Sequence, residues 1–298
     1  MDFFAVQGKL HPTAPFDFHK SLRFLKLFGP EKNEQLLSKN SLAKAILVEK
    51  QVVVIHIKSI GTIDRPVLKY LLLSEQTIFE EVKLFVLDRV SFFLSIYDNL
   101  ESFYRIGRHD NVFNPVIRKL YGYHPVKFLT PFENACWAIL AQYTPLPVAR
   151  RMKKALLQRY GTKISLHHFE LCAFPDPLDL LYANIFEVQD LLGDDNKAEY
   201  LLALARAFTD VDDDFLRYSP YDEVYDWLLS LKGVGAWSAA FIMLYGLGRT
   251  DRVLLSDHRL ISSAARFYGK MVFVGISSIA EQYGEWQGYW AHYLRVAA

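Results

Sequence analysis

Two glycines spaced two apart in Lys232-Gly-Val-Gly235 stand between one stretch of helical periodicity and another that begins at Ala236. Glycine lets the chain turn with positive φ and lets a ligand approach the main chain. The helix that follows opens with unpaired N–H groups and the positive end of its dipole. A phosphate of a nucleic-acid backbone is a natural occupant, while the bland alternative is a helix–helix corner with no ligand. Trp237 and Phe241 lie four apart after the turn and so share one helix face, either as core or as the wall of a pocket. Asp257 precedes the apolar positions Leu260, Ile261, Ala264 and Ala265, which is the place of an N-cap.

The elements that must position these residues follow from patterning. In residues 1–100, Gln51-Val-Val-Val-Ile-His-Ile-Lys-Ser reads as a strand, and apolar positions 22, 25 and 28 read as one face of a helix packed on the sheet. A mixed α/β N-terminal domain with an antiparallel sheet is expected there. Residues 101–298 read as all-helical, with the hairpin at 231–241. Thr130-Pro-Phe-Glu133 is a capping box that opens a buried helix running to about Gln142. A basic amphipathic helix is expected over Val148 to Tyr160, then helices over Asn196 to Phe208 and from Ser219-Pro-Tyr-Asp-Glu to Leu231.

Of the 298 residues, 51% are hydrophobic, which excludes a mainly disordered chain. Two cysteines, Cys136 and Cys172, exclude a disulfide framework, a four-cysteine zinc site and a four-thiolate iron–sulfur cluster. No apolar run approaches the roughly 20 residues of a membrane span, and no secretory leader pattern opens the sequence. A cytoplasmic protein without membrane contact is expected, nucleoid-associated if prokaryotic. The net charge of +1 hides an asymmetry: +2 for residues 1–100, +7 for 101–160, −11 for 161–227 and +3 for 228–298. Two basic stretches flank an acidic one, as on a protein with an anion-binding face and an acidic back.

The segment Leu231-Lys-Gly-Val-Gly-Ala-Trp-Ser-Ala-Ala-Phe241, followed by Asp257 in Leu254-Leu-Ser-Asp-His-Arg-Leu-Ile, resembles the helix-hairpin-helix DNA glycosylase superfamily, and within it the alkylation-repair branch of DNA-3-methyladenine glycosylase II. The resemblance extends through Tyr104-Arg-Ile-Gly-Arg-His-Asp110, Pro115-Val-Ile-Arg-Lys-Leu, Thr130-Pro-Phe-Glu-Asn-Ala-Cys-Trp-Ala-Ile-Leu-Ala-Gln142 and Glu285-Trp-Gln-Gly-Tyr-Trp. It implies an α+β protein whose helical glycosylase core has two subdomains, and a monomer that excises damaged bases from duplex DNA and needs no cofactor.

Residue by residue, the resemblance implies that Asp257 is the catalytic carboxylate, stabilising an oxocarbenium-like sugar as the base leaves. Trp237 stands where the superfamily's bifunctional members carry a nucleophilic lysine, which implies a monofunctional enzyme that uses water. Trp237, Phe241 and Gln142 would line the base pocket, where aromatic rings suit a cationic alkylpurine such as 3-methyladenine or 7-methylguanine. Tyr143, after Gln142, falls at the wedge that fills the gap left by a flipped base, with a buried, hydrogen-bonded tyrosine as the structural alternative. Gly233, Val234, Gly235 and Ser238 would face the DNA backbone, and the carbonyls of Leu229, Leu231 and Val234 would hold a structural monovalent cation. Arg150, Arg151, Lys153 and Lys154 offer further phosphate contacts. The sequence departs from the family at Phe241, often tyrosine, at Tyr143, often aliphatic, and at Arg295, near a pocket tryptophan of one branch. These departures leave deaminated or oxidised bases as the alternative substrates, and a non-catalytic DNA-binding protein as the alternative class.

Overall fold

The β-branched run Val52-Val-Val-Ile-His-Ile lies at the centre of a five-stranded antiparallel sheet, as its alternation predicts. In the computed structural model, which describes residues 3–27, 34–166, 169–269 and 272–298, the sheet comprises β1 (Phe4–Leu10), β2 (Leu36–Leu37), β3 (Ser41–Val48), β4 (Gln51–Ser59) and β5 (Leu68–Ser74) in the order β1-β5-β4-β3-β2. Successive side chains of a strand point to opposite faces. On β4, Val53, Ile55 and Ile57 join the core formed with α1 (Phe18–Leu27) and α2 (Glu80–Phe93), while Val52 and Val54 face the other way. Position 28, expected on the apolar face of α1, lies outside the described residues.

That second face is covered by an element the helical patterning of residues 101–298 does not reveal. Strands β6 (Thr162–Leu166) and β7 (Phe169–Ala173) form a separate antiparallel pair, so the second part of the chain is not all-helical. Ile164, Leu166, Leu171 and Ala173 pack on Ala43, Ala45, Leu47, Val52 and Val54, which buries the sheet on both faces. Five-residue strands are too short for periodicity to separate from their surroundings. Their stability comes from an apolar surface remote in sequence.

The remaining elements are helices, divided between two apolar cores. One core holds α5 (Pro131–Ala141), α6 (Leu146–Tyr160), α7 (Pro177–Leu181), α8 (Ile185–Leu192), α9 (Asp195–Asp210), α10 (Asp213–Tyr218), α11 (Tyr221–Ser230) and α12 (Ala236–Tyr245). The other holds α3 (Glu101–His109), α4 (Asn114–Lys119), α13 (His258–Tyr268), α14 (Val272–Gln282) and α15 (Gln287–Ala297). Helix α5 starts as predicted, with the Thr130 hydroxyl accepting the Glu133 N–H at 3.1 Å and Pro131 in the first turn. Helix α6 starts two residues before Val148, because Pro147 falls in the first turn, where its missing N–H is harmless. No helix among the described residues is long and apolar enough to cross a membrane, and no cluster of three or more His, Cys, Asp or Glu among them could hold a metal.

Lys153, expected from its place on a basic helix to offer a phosphate contact, instead points inward. Its side chain is buried, donating to Glu133 at 2.7 Å and to Glu34, with Lys44 Nζ 4.0 Å from the same Glu133 carboxylate. The cluster ties α5 and α6 to β3 and to the segment before β2. Buried charges are tolerated only when compensated, and removing one partner leaves the other stranded. Lys153→Met is therefore expected to destabilise the protein by about 3 kcal/mol in chemical denaturation, and adding Glu133→Gln to restore more than half of that loss.

Candidate active site

The hairpin between α11 and α12 is set by two glycines with different tasks. Gly233 has φ +85, and a Cβ there would lie 2.3 Å from the Tyr200 ring, so both backbone conformation and packing demand glycine. Gly235 has an ordinary extended backbone (φ −96, ψ 178), and a Cβ there would meet nothing within 4 Å. It is the N-cap of α12 and supplies no side-chain cap, so the first N–H groups of a ten-residue helix face an open surface. The Leu231 carbonyl accepts the Val234 N–H at 3.0 Å. With two lone pairs it keeps one, and neutral carbonyl oxygens such as those of Leu229, Leu231 and Val234 suit a hard monovalent cation.

Helix α5 meets this hairpin through Gln142. Its Nε2 donates to the Gly233 carbonyl at 2.8 Å and to the Ser238 hydroxyl at 2.5 Å. Gln142 thus tethers the end of α5 to the hairpin. Ser238 is buried, with its hydroxyl accepting from Gln142, so it lies within the frame of the hairpin rather than on its exposed surface. Val234 is likewise buried, which leaves only its main chain to face a ligand. The C-terminal carbonyls of α5 are satisfied by the buried amine of Lys197, which donates to Ile139 at 3.0 Å and Gln142 at 2.8 Å. Directly beyond, Tyr143 takes the left-handed region (φ 51) with its side chain fully exposed. The buried alternative for this residue is excluded.

Along one face of α12 runs a row of rings spaced by four residues. Trp237 stacks on Phe241 with centroids 5.2 Å apart and planes inclined by 23°, and Phe241 lies 4.8 Å from Tyr245. Phe128 meets Phe241 edge-on at 6.1 Å. Trp237 and Phe241 are half-buried, whereas Tyr245 and Phe128 are buried. Phe128 carries no sequence signal, but Tyr245 continues the i, i+4 spacing of the pair already singled out.

Asp257 is the N-cap of α13, one carboxylate oxygen accepting the Arg259 N–H at 2.9 Å. The other oxygen is held by the Arg295 guanidinium from α15. Through its remaining terminal nitrogen, Arg295 donates to the Tyr245 hydroxyl at 3.2 Å, which also bonds His292 Nδ1 at 3.0 Å. The other His292 nitrogen meets the Tyr123 hydroxyl at 2.8 Å. Burial, aided by the Arg295 charge, pushes the His292 pKa down to about 3, so its ring is neutral at working pH. Arg295 thus joins the carboxylate to the aromatic row and links the two helical cores. His258, beside Asp257, is exposed. The lysines near the hairpin are engaged elsewhere, Lys197 as the α5 cap and Lys232 with Glu199.

Charge is less segregated than the segment counts suggest. Asp179, Glu187, Glu199, Asp213 and Asp222 of the acidic stretch pair with Lys50, Arg159, Lys232, Arg89 and Arg252 from outside it. Tertiary pairing therefore neutralises much of the excess on both sides.

No family model matches the chain. In sequence it is 24% identical over 202 residues to a DNA-3-methyladenine glycosylase of Bacillus subtilis (strain 168), over 66% of this chain and 67% of the relative. It is 28% identical over 158 residues to DNA-3-methyladenine glycosylase 2 of Escherichia coli (strain K12), over 53% of this chain and only about half (54%) of that relative. Among solved structures, a 3-methyladenine DNA-glycosylase from Archaeoglobus fulgidus superposes over 97% of both chains with a TM-score of 0.78 at 19% identity. The 8-oxoguanine glycosylase/lyase of Clostridium acetobutylicum superposes over 100% of both chains with a TM-score of 0.71 at 16% identity. At these identities the superpositions establish a shared fold.

The two hairpin glycines respond differently to a methyl group. Gly233→Ala is expected to lose about 3 kcal/mol of stability through strain and the Tyr200 clash, and Gly235→Ala no more than about 1 kcal/mol. Thermal and denaturant unfolding of the two variants measures the difference.

Proposed function

We propose that this chain, which has the helix-hairpin-helix DNA glycosylase fold and is similar in sequence to DNA-3-methyladenine glycosylases, is a monofunctional glycosylase that acts as a monomer and hydrolytically excises alkylated purines, 3-methyladenine foremost, from duplex DNA. The observation that carries the reading is the placement of the Asp257 carboxylate, at the start of α13, within one bridging guanidinium of the ring row on α12.

In this reading the open N-terminus of α12 receives a DNA phosphate, with the main chain of Gly233, Val234 and Gly235 alongside it. The exposed residues Arg151 and Lys154, with Arg150, add sequence-independent contacts. A monovalent cation on the carbonyls of Leu229, Leu231 and Val234 would add positive charge there. Tyr143, projecting from a turn whose preceding helix end is held by Lys197 and Gln142, enters the stack as the base swings out, offsetting a few kcal/mol of unstacking. The flipped base lies against Trp237 and Phe241, where a cationic purine gains about 0.5–2 kcal/mol per favourable ring contact. As the glycosidic bond lengthens, Asp257 stabilises the positive charge that develops on the deoxyribose.

Trp237 offers no amine, and Lys197 and Lys232 are committed to other partners. Water is therefore the nucleophile, and the product is an intact strand with an abasic site.

Asp257→Asn keeps an N-cap and removes a charge. Base release from 3-methyladenine duplexes is expected to fall about a hundredfold or more, while duplex binding by the folded variant stays close to that of the parent. Thermal stability falls, because the Arg295 guanidinium loses its ionic partner. Near-parental release by the folded variant would remove Asp257 from the mechanism. Borohydride treatment during turnover is expected to trap no enzyme–DNA adduct, and a covalent adduct would instead mean an amine nucleophile.

A further inference from the structure

The +7 excess of residues 101–160 is only partly absorbed by the candidate active site. Lys153 is buried among carboxylates, Lys127 is paired with Asp98 and Arg159 with Glu187. Arg108 and Arg118 are different: both are exposed, and neither has a carboxylate partner among the described residues. They lie in the last turns of α3 and α4. Gly107 lets these helices approach closely, since a Cβ there would lie 2.7 Å from the Ile117 side chain. Together with Asn114, Ile117 and Tyr121, the two arginines line a cavity of about 500 Å³.

Tyr121 makes one wall of this cavity firm. Its ring packs on Tyr104 at 5.6 Å with planes inclined by 31°, its hydroxyl donates to Asp64 of the β4–β5 loop at 3.2 Å, and its carbonyl accepts from Lys20 of α1 at 2.6 Å. Burial and Asp64 push the Tyr121 pKa up against the opposing charge of Arg108, so the phenol stays neutral and keeps its proton for Asp64. The cavity therefore lies where the helical core meets the sheet, a common place for ligand pockets. Two guanidiniums repel each other unless an anion joins them, and their planar forks match phosphate oxygens in pairs. The cavity is much larger than a phosphate, and Ile117 with the Tyr121 ring offers apolar surface to a ring carried by that phosphate.

We infer that the pocket between α3 and α4 binds a nucleotide, with Arg108 and Arg118 on its phosphate and Tyr121 and Ile117 against its base or sugar. The pocket shares no residue with the candidate active site, so the inference goes beyond the proposed function, and its failure leaves that reading untouched. The nucleotide is either free in solution or a unit of a nucleic-acid strand, and the chemistry of recognition is the same. The test titrates the full chain calorimetrically with adenosine 5′-monophosphate, adenosine and inorganic phosphate. The monophosphate is expected to bind one-to-one with a Kd below about 1 mM, and adenosine and phosphate each about tenfold or more weaker. Arg108→Gln combined with Arg118→Gln, both at exposed positions, is expected to weaken the monophosphate about tenfold or more with thermal unfolding unchanged.

A second measurement separates the two sources. If the monophosphate displaces a labelled undamaged duplex, and the double variant binds that duplex more weakly, the occupant is a strand phosphate. If duplex binding is indifferent to both, the occupant is a free nucleotide. Either result supports the inference. A monophosphate that does not saturate the protein overturns it, and leaves two solvated cations complementing helix C-termini. Equal binding to the double variant also overturns it, because the ligand is then held elsewhere. Adenosine or inorganic phosphate binding as tightly as the monophosphate overturns it as well, since one half of the nucleotide is then not recognised.

Discussion

A half-buried carboxylate whose two oxygens are both committed is the constraint around which the candidate site is arranged. Asp257 accepts a main-chain N–H at the start of α13 with one oxygen and binds Arg295 with the other. A charge taken partly out of water must be compensated, and here each compensating group also fixes direction. The N-cap ties the carboxylate to a helix of the second core. The guanidinium ties it to Tyr245 on α12, which belongs to the hairpin and the first core. One guanidinium from α15 thus bonds both the carboxylate and the buried end of the ring row, elements remote from it in sequence.

A second set of contacts holds the hairpin surface. The end of α5 is closed by Lys197, and its last side chain, Gln142, grips the Gly233 carbonyl and the Ser238 hydroxyl. These bonds place an exposed tyrosine with a left-handed backbone beside the open N-terminus of α12. Strain of this kind persists only where the surrounding structure holds it. The hairpin and the turn that carries the projecting ring are therefore tied together by hydrogen bonds, and the buried Ser238 belongs to their frame rather than to the surface.

Much of the fold was legible in sequence because its signals are local. The alternation of β4, the cap and proline that open α5 and the glycine that closes α6 each act within a few residues. The β6–β7 pair was not legible, because five-residue strands carry little period and are stabilised by apolar side chains on the distant face of β3 and β4. Charge was misleading for a similar reason. Counts by segment cannot register that Lys153 is buried among carboxylates, or that five residues of the acidic stretch find cations elsewhere.

Within the site the same division holds. By itself, the sequence determined the hairpin glycines, the i, i+4 aromatic pair and an N-cap aspartate, since each is a matter of backbone conformation or spacing along a single helix. Only the tertiary structure decided that Gln142 is a tether, that Ser238 faces inward, that Tyr143 projects and that Arg295 occupies the second oxygen of Asp257. Each of these is a contact between segments tens of residues or more apart, or an exposure set by what packs around the residue. Local pattern carries no information about which distant surface a side chain will meet, because that choice is made by the packing of the two helical cores.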